Sequence, residues 1–306
     1  MVWDPFADDG NTQISVDGDL VPAAEATISV FDRGFLYGDA VYDSMPIYDG
    51  RVLLMDRHID RLYRSAAGIQ VDIPQSKEAL KEEMLRTAAA GDVTNGALRV
   101  MVSRGAGPPG VVNADRTRGP TVIVAPLPSP PEDVAYGRDD LPTGRARIVS
   151  TRAIDPDSID SKIKSNNYLT NALAERELVG TDAEFGIMLD HDGFVAEEFV
   201  SNVFVRDQAG RITTPPPTHA LDGITRQLVL EIGEQEGYDM AEERVTPAEL
   251  YAAEDIFLTA SARGIVAVSS LNSRLIGDGE PSEAVSDLAQ STLAYARTEE
   301  AVPIGD

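Results

Sequence analysis

Apolar positions along this 306-residue chain alternate with polar ones in short runs, then recur every three to four residues, and the two patterns trade places repeatedly. Strict alternation marks half-buried strands and the longer spacing marks amphipathic helices. Read this way, TISVFD, AVYDSMPIYDG and RVLLM predict strands, with a turn at Asp49-Gly50. DRHIDRLYRSAAGI sets Ile59, Leu62 and Ala66 on one helical face, and QSKEALKEEMLRTAAA is a second, more charged helix. ALRVMVSRG and TVIVAPL return to strand. PLPSPPEDVAYG carries four prolines, which lack the N–H a sheet interior needs, and so reads as a linker.

Beyond the linker RARIVSTRAI predicts a strand, SNNYLTNALAERELVG a helix and FGIMLDHDGFVAEEFVSNVFVRDQAGRITTPP a meander turning at HDG and QAG. GITRQLVLEIGEQEG predicts a helix ending at Gly237, TPAELYAA a short one, EDIFLTASARGIVAVSSL strand, and PSEAVSDLAQSTLAYAR a closing helix. No internal repeat is visible. The expected organisation is a small N-terminal α/β domain at 1–126, a linker at 127–136 and a larger C-terminal domain at 137–306.

Composition narrows the chemistry. There are no cysteines, so disulfides, thiolate catalysis and cysteine-ligated metals are excluded. His58, His191 and His219 are the only histidines and lie far apart, which argues against a histidine metal site. No apolar run approaches the roughly 20 residues that span a bilayer, and MVWDPFADDG lacks the pattern of a secretory leader. The expectation is a cytoplasmic protein. Its net charge of −25 is spread along the chain and repels nucleic acid and anionic lipid. A surface so acidic and so poor in lysine suits a salt-rich cytoplasm, where screening is short-ranged.

Only four lysines are present. Lys77 and Lys81 sit one turn apart among glutamates, where ion pairing on a wet helical face accounts for them. Lys162 and Lys164 instead precede a predicted helix that Ser165 or Asn166 can cap. The positive end of that helix disfavours a nearby ammonium and lowers its pKa, and a neutral amine can form a Schiff base. Two surface lysines in a loop fit the same facts, so spacing alone leaves both readings open.

The surrounding motifs resemble the class IV aminotransferases, the fold-type IV enzymes that use pyridoxal 5'-phosphate, over residues 13 to 290. IKSNNYLTNALAERE resembles IKSLNYLNNILA, in which the lysine before serine carries the cofactor; that implies the catalytic role for Lys164. FDRGFLYGDAVYDSMPIYDG with HIDRLYRSA, GFVAEEFVSNVF, and LDGITR resemble three further family motifs in family order. The implied fold is α/β (α+β), of the D-amino-acid and branched-chain aminotransferase type.

The resemblance implies Glu197 against the pyridine nitrogen, whose protonation the cofactor's electron withdrawal requires, with Glu198 at a usual glycine position. It implies phosphate contacts from Arg61, Ser261 and the helix-start amides of Ile224 and Thr225, where a helix N-terminus favours an anion. Tyr168 matches the tyrosine at the phenolic oxygen and Leu221 the apolar residue against the ring. Tyr37, Tyr42, Arg99 and Ala262 match substrate-pocket positions. Strand alternation puts Ala97, Arg99, Met101 and Ser103 on one face and Arg104 on the other.

The chain departs from the branched-chain pattern FEGIR, having YDSMP, with Ser44 for glycine and Pro46 for arginine. Arg263 and Gly264 stand for the usual alanine and glutamate. That version, with SRGAGPPG, is similar to aminodeoxychorismate lyases, although Pro109 replaces their last arginine. GAGPPG at 105–110 also satisfies G-x-G-x-x-G, but its prolines argue against the helix a dinucleotide fingerprint needs. The expected activity is amino transfer between an apolar amino acid and a 2-oxo acid such as 2-oxoglutarate, by a homodimer or larger homo-oligomer. The alternatives are the lyase, a D-amino-acid or (R)-amine transaminase, and a relative retained as a scaffold.

Overall fold

In the computed structural model, residues 12–130, 134–138 and 140–305 are described. The N-terminal stretch 1–11 and the 131–133 portion of the expected linker lie outside the described residues. The chain groups into two compact units: Met1–Gly137 with Ile163–Asn167 and Ala296–Asp306, and Arg138–Lys162 with Tyr168–Tyr295. The sequence reading kept 137–306 together, with Lys164 inside it. Backbone pairing instead carries the lysine segment and the C-terminus into the first unit.

The first unit is built on a seven-stranded antiparallel sheet. Its strands are β1 (Gln13–Val16), β2 (Asp19–Pro22), β3 (Ala40–Tyr48), β4 (Arg51–Leu53), β5 (Gly96–Ser103), β6 (Thr121–Pro128) and the C-terminal strand Ala301–Pro303. The order is Ala301–Pro303, β4, β3, β5, β6, β1, β2. Helices α1 (Arg33–Tyr37), α2 (Met55–Gly68) and α3 (Lys77–Ala90) complete the unit. Val41, Met45 and Ile47 of β3 and Leu98, Val100 and Val102 of β5 meet Ile59 and Leu62 of α2 and Leu80 and Met84 of α3 in one apolar core. Tyr42, Ser44 and Arg99 therefore project from the opposite face of the sheet.

Three expectations change here. TISVFD forms no strand: Ile28, Val30 and Phe31 are all exposed, and only Asp32 makes a bridge, to Ala106. The hairpin of β1 and β2 was missed although Asp17-Gly18 supplies its turn, both residues at positive φ. Lys77 and Lys81 do not pair within their helix; each reaches 2.6 Å across to α2, to Asp60 and Asp56.

On β3, β4 reaches only Ile47 and Tyr48, leaving the first half of β3 open on that side. Residues 163–167 fill this edge, with a Val41–Ser165 bridge, Tyr42 N donating to Lys164 O at 3.1 Å and Asn166 N donating to Ala40 O at 2.9 Å. Pro46, without an N–H to pair, sits beyond the reach of β4.

The second unit holds a nine-stranded mixed sheet. In chain order its elements are β7 (Thr143–Ile148), α4 (Leu169–Arg176), β8 (Phe185–Leu189), β9 (Val195–Glu198), β10 (Asn202–Arg206), β11 (Ile212–Thr214), α5 (Ile224–Glu236), β12 (Met240–Glu242), α6 (Pro247–Ala252), β13 (Asp255–Ala260), β14 (Gly264–Leu271), β15 (Arg274–Leu275) and α7 (Glu283–Thr298). The sheet runs β12, β11, β10, β13, β14, β7, β8, β9, with β15 paired to β14. Val203, Val205, Ile256 and Leu258 share one of its cores with Val245 and Leu250. α6 opens with a capping box between Thr246 and Glu249, and α5 stops where Gly237 takes positive φ. Among the described residues no helix is long and apolar enough to cross a membrane.

Candidate active site

In the first unit Lys164 is held by its backbone from two elements: β3 through Tyr42, and α2 through Ser65, whose Oγ accepts from Lys164 N at 3.1 Å. The expected helix start is not there. α4 begins only at Leu169, its N-cap is Tyr168, and residues 163–167 are an edge segment, so neither Ser165 nor Asn166 caps it. The helix dipole is thus not what acts on the amine. Burial pushes the Lys164 amine below the usual lysine value, and the Arg61 charge pushes the same way, while Tyr42 and Asp43 oppose. Nζ lies 4.6 Å from the Tyr42 ring centroid and hydrogen-bonds that residue. Lys162, two residues earlier, is exposed.

Beneath β3, Asp43 is fully buried and organises two basic residues of α2. His58 Nδ1 is 2.7 Å from Asp43 Oδ1, and Arg61 donates from Nε and Nη2 to the two oxygens at 2.8 Å each. His58 and Arg61 are one turn apart, so one carboxylate reaches both. Burial by itself raises the Asp43 pKa, but the Arg61 charge and the hydrogen bonds from Arg61 and His58 outweigh it and hold the carboxyl well below its ordinary value. Burial pushes His58 down, toward neutral imidazole, against the pull of Asp43. Sequence reasoning found Arg61 and missed Asp43 and His58 as its holders. The available signal was a lone acidic residue at an inward position of an apolar strand.

On the opposite sheet face Arg99 donates from Nε to Ser44 Oγ at 3.3 Å, and its guanidinium lies 5.1 Å from the Tyr42 centroid. Lys164, Tyr42 and Arg99 are therefore contiguous. Tyr37 is engaged elsewhere: its hydroxyl accepts from Gly110 N at 2.7 Å, and the Arg33 guanidinium is 5.0 Å from its ring. The GAGPPG segment is a loop running into a short 3-10 turn at Val111–Arg116, kinked at Asn113, and no α-helix follows it.

In the second unit Glu197 of β9 accepts through Oε2 from Leu221 N at 3.0 Å, while Asn202 Nδ2 donates to Leu221 O at 2.7 Å. Both side chains thus fix the elbow leading into α5. Gly223 is required there because an added Cβ would collide with Asn202 Oδ1. Among the described residues no side chain caps α5, which leaves the Ile224 and Thr225 amides at its start. Thr225 Oγ1 is buried and has no hydrogen-bond partner among the described residues. Ser261 and Ala262 form the turn between β13 and β14, and Tyr168 stands half-buried at the head of α4.

Two departures from the branched-chain pattern meet in this unit. Glu198, fully buried on the other face of β9 from Glu197, accepts from Val200 N at 3.0 Å and from Arg263 Nη1 at 3.3 Å. Arg263 also lies 5.5 Å from each of the Phe185 and Phe199 ring centroids. Burial raises the Glu198 pKa and Arg263 opposes.

A family model for "Amino-transferase class IV" matches residues 40–271. A "Putative branched-chain-amino-acid aminotransferase" of Methanocaldococcus jannaschii is 34% identical over 91% of this chain and 94% of its own length. A D-alanine aminotransferase of Bacillus licheniformis is 32% identical over 88% of this chain and 92% of its own, and an aminodeoxychorismate lyase of Bacillus subtilis 31% over 83% and 84%. Among solved structures, a T.th. branched-chain amino acid aminotransferase complexed with N-(5'-phosphopyridoxyl)-L-glutamate superposes with a TM-score of 0.86 at 27% identity, over 96% of this chain and 98% of that one. An amine held below its usual pKa and an uncapped helix start with an orphaned hydroxyl occur in a chain matched nearly end to end, and this chain belongs to the class IV aminotransferases.

Proposed function

We propose that this protein transfers the amino group of an apolar amino acid to a 2-oxo acid such as 2-oxoglutarate, using pyridoxal 5'-phosphate. The observation that carries the reading is Lys164 itself: a half-buried residue whose amine lies beside Tyr42 with its pKa depressed by desolvation, on a backbone held at both ends. Only an unprotonated amine is a nucleophile toward a carbonyl, and burial favours that form.

The residues present fit the cofactor. The orphaned Thr225 hydroxyl and the uncapped α5 amides suit a phosphate. When bound, pyridoxal phosphate supplies a protonated pyridine ring that draws electrons away from the substrate Cα. Lys164 would hold the cofactor, and its Nζ would take the Cα proton and return it. Glu197 keeps the proton on the ring nitrogen, steadied by Leu221 N. Arg61, oriented by Asp43, and Ser261 serve the phosphate with α5. Tyr168 and Leu221 serve the ring, and Tyr37, Tyr42, Arg99 and Ala262 the substrate.

The decisive experiment is borohydride reduction of the cofactor-loaded protein followed by peptide mapping, together with amino-donor panels. Modification of Lys164 and amino transfer from leucine, isoleucine or valine support the reading; label on Lys162 overturns it. The second reading is the lyase, which Arg263-Gly264 and the lyase relative favour. Pyruvate release from aminodeoxychorismate without an amino acceptor distinguishes it. D-alanine in the donor panel tests the D-amino-acid alternative.

We also propose a cytoplasmic homodimer. Val30, Phe31, Phe35, Val111 and Val112 of the first unit are exposed apolar residues, and such side chains suit burial against a second copy. Light scattering that returns a monomer would contradict this.

A further inference from the structure

Thr259 is the one polar residue on the otherwise apolar stretch Ile256–Ala260 of β13, and it is 1% exposed. Among the described residues its Oγ1 has no hydrogen-bond partner. A buried hydroxyl left unpaired is destabilising, and valine would fill the same space in a strand without that loss. Stability does not explain the residue.

Its position does. Thr259 pairs across the sheet with Asn202 of β10, so the two side chains share one face. Asn202 shows where that face leads: its Nδ2 reaches Leu221 O, and its Oδ1 closes on Gly223. α5 packs on β13, and its first turn begins at this elbow. The uncapped amides of Ile224 and Thr225 and the second orphaned hydroxyl, that of Thr225, belong to that same turn. Ser261 lies two residues beyond Thr259, in the turn that follows β13.

We propose that Thr259 is a further cofactor-binding residue, its Oγ1 donating, with the Thr225 hydroxyl and the α5 amides, to the phosphate of the bound cofactor. The proposal rests on the pyridoxal phosphate reading above and adds a donor to it. A doubly charged phosphate is a strong acceptor, and a hydrogen bond to a charged group in a dry site is worth more than a neutral one. Substrate recognition is not involved.

The test measures cofactor affinity without turnover. Apo protein is titrated with pyridoxal phosphate and with pyridoxal, for wild type, Thr259→Val and Thr259→Ser, and the apo melting temperature is recorded with and without inorganic phosphate. Thr259→Val is expected to bind pyridoxal phosphate about tenfold more weakly or worse. It should bind pyridoxal as wild type does and lose part of the melting-temperature rise given by phosphate. Thr259→Ser keeps the hydroxyl and restores affinity. Equal pyridoxal phosphate affinity in wild type and Thr259→Val overturns the proposal, as does an equal loss for pyridoxal, which marks a packing role. A wild type that binds no pyridoxal phosphate overturns the cofactor reading itself, and this inference with it.

Discussion

Asp43 grips Arg61 at both Nε and Nη2, each at 2.8 Å, from a strand position with no solvent exposure. The same carboxylate holds His58, so a single acidic side chain orients both basic groups that α2 turns toward β3. Breaking a buried pair leaves the other charge unpaired, which is costlier than the pair was worth. Asp43→Asn is expected to lower stability by about 3–5 kcal/mol, read by urea unfolding. It should also weaken cofactor binding, because Arg61 loses its orientation; unchanged affinity would assign Asp43 to folding alone.

The two neighbouring lysines separate cleanly. Lys164→Ala removes the amine with the depressed pKa and should abolish borohydride-dependent labelling by the cofactor and all amino transfer. Lys162→Ala removes an exposed side chain and should leave both intact. Activity lost in the second variant and retained in the first would reverse the assignment.

Glu198 and Arg263 form a pair whose balance depends on pH. The Glu198 pKa is raised already, and removing Arg263 takes away the charge that opposes the rise. The folded state then keeps a proton that the unfolded chain releases near pH 4.5, so stability falls as pH rises above that value. Arg263→Ala should therefore lose more stability at pH 8 than at pH 5. Adding Glu198→Gln should recover part of the loss at pH 8, and thermal melts of the four proteins complete the cycle.

Acid should act in the opposite sense at Glu177. This carboxylate accepts hydrogen bonds from the amides and hydroxyls of Ser150 and Thr151, tying the end of α4 to the segment after β7. Burial by itself raises its pKa, but these bonds outweigh it and lower the value from 4.5 to about 2. A depressed folded pKa gives stability that is complete above the unfolded value and fades as pH falls through the folded one. Glu177→Gln should thus melt lower than wild type at pH 7, with the gap closing between pH 4.5 and pH 2. A gap independent of pH would show the anion is not what matters.

Salt is the remaining variable. A net charge of −25 repels itself over a distance set by the Debye length, about 8 Å at 0.15 M and 3 Å at 1 M salt. The melting temperature should rise steadily with KCl from dilute buffer to molar concentrations. A flat dependence would contradict adaptation to a salt-rich cytoplasm.

The sequence made the strongly periodic strands and helices legible, from AVYDSMPIY to GITRQLVLEI, because a face buried against a core must repeat with the period of its element. It singled out Lys164 by scarcity and motif. It misplaced what lies outside periodicity: TISVFD has apolar residues without a strand partner, and SNN, with good capping residues, was captured by the edge of β3 before a helix could begin. Tertiary packing alone set what depresses the Lys164 pKa, which is burial beside Arg61 and not a helix dipole. Only it brought Asp43 under Arg61, Glu198 to Arg263 and Thr259 to the elbow before α5. Those pairings join residues distant along the chain, and neither alternation nor helical spacing carries information about which distant groups share a buried, low-dielectric place.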